Sequence, residues 1–160
     1  MQLINSFSND LILVLLVIAS WCDLRTRKIP NLLILVGIFS GLSCSLFLGS
    51  AVNIQAGLLG FCVGIALFAP LYLLGAIGAG DVKLLGVVGL FVGLQNILAV
   101  VAFTALSGGV LGLIYILKTM MSNLKAKKAV TQGFESIQLP YAVAISIGTL
   151  LVLTNTPNFF

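Results

Sequence analysis

Six apolar runs divided by short polar breaks take up most of the 160 residues, and they leave little choice about where such a chain can fold. About 20 apolar residues in helical form cross the hydrocarbon core of a bilayer, so this length holds five or six spans with short connections. With 60% hydrophobic and only 8% charged residues, and a mean hydropathy of +1.22, the composition lies far from that of soluble domains. The expected fold is an all-α integral membrane protein of six transmembrane helices, near 9–23, 30–48, 54–77, 81–94, 96–118 and 139–153, in one membrane-embedded domain over 1–160.

Local signals set these boundaries. Asn9 and Asp10 suit the N-cap of a short first helix that ends near Asp23. Pro30 suits the start of the second, where its missing N–H is not needed. The third runs to the glycine-rich break "GAGD", and Gln95 and Asn96 divide the long apolar stretch that follows. The first segment lacks the basic flank of a signal peptide and is expected to be a retained helix.

Short loops rich in Lys and Arg stay in the cytoplasm. With six spans, Arg25, Arg27 and Lys28 share one side with Lys83 and with Lys118, Lys125, Lys127 and Lys128, which puts both termini outside. The net charge of +4 then reports orientation and headgroup contact, not nucleic-acid binding. Cys22, Cys44 and Cys62 form no C-x-x-C pair and read as buried free thiols. The G-x-x-x-G spacings at Gly37/Gly41, Gly60/Gly64, Gly89/Gly93 and Gly108/Gly112 read as packing between helices of the same chain.

The chain has no histidine and four acids, Asp10, Asp23, Asp81 and Glu135, so carboxylates are what remain for acid and base work. Asp23 closes the first helix and Asp81 opens the fourth, which places both at the cytoplasmic interface. Two carboxyls that share a proton can activate water and protonate a leaving group. An acid beside basic residues is also a common solvated ion pair, and Asp often caps a helix, so either acid alone fits both readings. The helix ends predict unequal roles, with Asp81 as base near a positive dipole end and Asp23 as acid near a negative one. Asp10 falls on the outer side, and Glu135 lies in a loop. A transporter or assembly subunit that uses the acids for ion coupling or helix pairing is the alternative, and it requires them nearer the midplane.

Two segments together resemble the prepilin peptidase family: "DLRTRKIPN" from Asp23 to Asn31, and "GAGDVK" from Gly78 to Lys83. Near the last helix "LPYAVAI" is similar to that family's P-Y-G-x-A-I pattern, with Ala142 in place of the glycine. The resemblance implies a GxGD-type aspartic peptidase with Asp23 and Asp81 as its catalytic pair. Gly78, Gly80, Lys83, Pro30, Asn31, Pro140 and Tyr141 become supporting or substrate-positioning residues. It implies no metal and no cofactor. The expected substrate is a prepilin or pseudopilin whose basic leader stays in the cytoplasm, and the expected setting is the cytoplasmic membrane, among lipids and pilus-assembly machinery. The chain resembles the short type of tight-adherence (Flp) systems, which implies cleavage without N-methylation.

Overall fold

A computed structural model describes residues 2–47, 52–125 and 141–155, and the described residues are helical without any strand. The helices are α1 (Gln2–Thr26), α2 (Asn31–Phe47), α3 (Ile54–Leu73), α4 (Ala79–Lys125) and α5 (Tyr141–Asn155). Three apolar segments are long enough to cross a membrane, Phe7–Thr26, Ile54–Leu73 and Ala79–Ile114; α2 and α5 supply shorter apolar helices. Many large apolar side chains point outward, among them Val17, Trp21, Leu32, Phe39, Leu73 and Leu106, as expected where lipid replaces water.

α1 begins earlier than expected, because Asn9 and Asp10 lie inside it and do not cap it. The turn they occupy is held by packing: Ser8 and Asn9 are buried, and the Ser8 hydroxyl reaches the Cys44 thiol of α2. α3 stops at Leu73, not at the glycine-rich break. Gly75 takes a left-handed conformation (φ 74), its N–H donates to the Tyr72 carbonyl (2.9 Å), and Ala76 N–H donates to that of Leu71 (2.9 Å). This is a Schellman ending, which a glycine permits without Cβ strain. At its other end Asn53 caps α3 by accepting from Ala56 N–H at 2.8 Å.

α4 is broken at Gly93, where φ 72 and ψ 174 are non-helical, two residues before the expected division at Gln95. Asn96 lies within the second half and donates to the Val92 carbonyl (3.1 Å), one of the acceptors freed by the break. The halves run oppositely along α3. Gly57, Gly60 and Gly64 face Leu90, Gly89 and Leu85 in descending order, so the first half is antiparallel to α3. Gly93 sits by Val52 and Ala56 near the start of α3, whereas Gly108–Leu113 lie beside Phe68 and Leu71 near its end. The chain therefore reverses at Gly93.

The core gathers around the first half of α4, where Leu84, Leu85, Val87, Val88 and Val92 are almost fully buried. α3 packs closely on it through glycines, and α2 places Gly37 against Val87. α5 lies against α1 and the second half of α4. The packing role expected of the glycine pairs thus holds at Gly37/Gly41 and Gly60/Gly64, where a Cβ would crowd the neighbouring helix. It does not extend to Gly108, where a Cβ would make only ordinary contacts.

Candidate active site

The two acids are brought together. Asp23 and Asp81 line one recess of about 350 Å³ with Arg27, Lys28, Ile29, Asn31, Gly78, Ala79, Gly80 and Lys83. Both carboxylates are buried, at 6% and 8% exposure, and they are close enough for their charges to interact. Neither sits mid-helix: Asp23 is one turn before the end of α1 and Asp81 is in the first turn of α4.

Each is held by a backbone N–H at the start of a helix. Gly78 N–H, just before α4, donates to Asp81 Oδ2 at 3.2 Å. This is half of a capping box, in which an acid in the first turn reaches back to the preceding backbone. Ala142 N–H, in the first turn of α5, donates to Asp23 Oδ2 at 3.1 Å. First-turn N–H groups have no partner within their own helix, so both are available for this work. The helix-end asymmetry expected from the sequence therefore fails. Asp23 lies near the C-terminus of its own helix but against the N-terminus of another, and both acids meet a positive helix end. Asp81 Oδ1 is buried with no hydrogen-bond partner among the described residues.

The loop after α1 closes over this pair. Arg27 takes a left-handed conformation (φ 52), which costs a residue with a Cβ on the order of 1 kcal/mol, and its charge reaches Asp23. The Thr26 hydroxyl lies within donating distance of the Cys22 and Lys28 carbonyls (2.8 and 3.1 Å) and ties the turn back to α1. Gly80 makes room for Ile29, whose Cβ lies 3.1 Å from where a Gly80 side chain would begin. Lys83 Nζ donates to Asn31 Oδ1 at 3.2 Å across the mouth, joining the two sequence motifs directly.

Other expected site residues are placed differently. Pro30 begins α2 by accepting from Leu33 N–H (3.0 Å) and is not among the residues lining the recess. Tyr141 lines a separate apolar groove with Phe68, Leu71 and Gly108, so it adjoins the acids through the backbone of the next residue and not through its ring. Pro140 and Glu135 lie outside the described residues, and Asp10 is exposed and remote from the recess. Among the described residues no group of three or more His, Cys, Asp or Glu side chains is placed to hold a metal.

Residues 11–113 match the type IV leader peptidase family, and that span includes both acids and the loop that joins them to the recess. The chain belongs to the type IV leader peptidase family. It is 28% identical over 139 residues to a prepilin leader peptidase/N-methyltransferase of Bacillus subtilis (strain 168), a match that covers 86% of this chain and 51% of the relative. The chain thus spans about half the length of that family member. No solved structure matches it. Family membership and the apolar helices together point to a membrane protein.

Proposed function

We propose that the chain is an aspartic endopeptidase that removes the basic leader of prepilins or pseudopilins at the cytoplasmic face of the membrane, with Asp23 and Asp81 as its catalytic pair. The observation that carries this reading is the shared recess, in which two buried carboxylates from different helices meet. One acid, ionised, takes a proton from water as the water attacks the scissile carbonyl. The other, protonated, gives its proton to that carbonyl oxygen. When the tetrahedral intermediate collapses, the C–N bond breaks, the first acid passes the proton it took from water to the departing amine, and the second acid takes back the hydroxyl proton as the carbonyl re-forms. Because both acids meet a helix N-terminus, the helix ends do not decide which one starts as base.

Placement at helix ends counts against ion coupling at mid-membrane, where the acids would have to lie deeper. Arg27, Lys28 and Lys83 around the same recess support a cytoplasmic opening. The reversal at Gly93 supports six spans: α4 has 47 residues, which at about 1.5 Å each would exceed twice the hydrocarbon thickness of about 30 Å if straight. Both termini then lie outside. Gly78, Gly80, Lys83 and Asn31 shape or close the recess, and Pro30 precedes the helix that carries Asn31.

The test is co-expression with a candidate prepilin, comparing leader removal by wild type, Asp23→Asn and Asp81→Asn. Wild type is expected to cleave and both variants to be inert while still inserted. Full cleavage by either variant would refute the pair.

A further inference from the structure

Two polar rungs join α1 to α5 on one seam. The first is the bond from Ala142 N–H to Asp23 Oδ2. In the second, Ser20 Oγ and Ser146 Oγ lie 2.7 Å apart. Ser20 precedes Asp23 by three residues, and Ser146 follows Ala142 by four, so on each helix the rung residues share a face one turn apart. The helices run in opposite directions, which brings the two rungs side by side.

The second rung also touches the residue that makes the first. Ser146 Oγ is 2.8 Å from the Ala142 carbonyl and 3.3 Å from that of Leu16, and Ser20 Oγ is 3.4 Å from the Ala142 carbonyl. Each hydroxyl has one proton, so one serine donates to the other and the second donates to a carbonyl. Ala142 is thereby fixed at its carbonyl while its N–H meets Asp23. A serine in an apolar helix often only bonds back to its own turn. Here the pair also spans 126 residues of sequence, from the first described helix to the last.

We propose that this seam belongs to the catalytic apparatus: Ser20 and Ser146 are positioning residues that set the register of α5 on α1, so that the Ala142 N–H holds one oxygen of Asp23. This rests on the reading of Asp23 as catalytic. It also gives the start of α5 a role that does not depend on the glycine of the related motif. The contact uses a backbone N–H, which every residue except proline supplies, and Ala142 is fully buried.

The test uses the full chain in detergent or liposomes, with two readouts: leader-removal kinetics, and the infrared carboxyl band of Asp23, assigned by its loss in Asp23→Asn. The double variant Ser20→Ala with Ser146→Ala is expected to lower kcat at least about tenfold with KM within about twofold, because small misplacements of a reacting group act on the chemical step. The Asp23 band is expected to shift. Ser20→Ala alone is a milder change that keeps the Ser146 bonds and is expected to move both readouts in the same direction by less. Ser20→Thr, which keeps a hydroxyl, is expected to recover most of the kcat lost in Ser20→Ala and to return the Asp23 band toward its wild-type position. An unmoved band with kcat within twofold in the serine variants overturns the proposal. Cleavage by Asp23→Asn would overturn the catalytic reading instead, and the band shift still reports on the seam by itself.

Discussion

Gly60 of α3 and Gly89 of α4 face each other so closely that a Cβ on either would run into the backbone of the other. Among the described residues α3 and α4 share the most extensive contact, and α4 carries Asp81 at its start, so this crossing fixes the helix from which one acid projects. Gly60→Ala or Gly89→Ala is expected to destabilise the protein by about 1–3 kcal/mol through overpacking, with the double variant costing less than the sum because both press on one contact. Thermal unfolding in detergent measures this.

Gly109 offers the opposite case. It lies within the second half of α4, and a Cβ there would touch nothing. Gly109→Ala is expected to stabilise by about 0.5–1 kcal/mol, since alanine loses less backbone freedom on entering a helix. A lower melting temperature for this variant would show that something occupies that face.

A side chain at Gly80 would press on Ile29, which is itself part of the wall of the recess. Gly80→Val is expected to reduce leader removal at least about tenfold by displacing the loop from the acids. Adding Ile29→Ala should restore part of the loss, and a double variant no better than Gly80→Val alone would place the fault elsewhere.

The link from Lys83 to Asn31 is exposed, so Asn31→Ala and Lys83→Met are each expected to change stability by less than about 0.5 kcal/mol. Their effect on cleavage should be shared: if the contact matters, the double variant loses no more than the worse single. Losses that multiply would mean that the two residues act separately.

Much of the site could be read in the sequence because its parts are local motifs. "DLRTRKIPN" and "GAGDVK" each carry an acid, a turn and a cation within a few residues, and the recess is lined from those two stretches. What escaped notice depends on distant packing. Nothing near Asp23 announces that the first turn of α5 supplies its hydrogen bond, so the dipole argument used the wrong helix. Ser20 and Ser146 look like ordinary small residues of apolar helices until they meet. Asn9 has the composition of a cap, but burial of that turn against α2 let the helix start earlier. Three glycines near the end of α3 could each have stopped it, and the hydrogen bonds around Gly75 show which one does.

The N–H that steadies Asp23 comes from a residue 119 positions later in the chain. A ribosome therefore finishes Asp23, Asp81 and the loop between them long before it makes Ala142. Until α5 has been inserted, the nascent chain holds two acids in the bilayer but only one of them braced. The bracing of Asp23 is complete only once the last described helix has packed against the first.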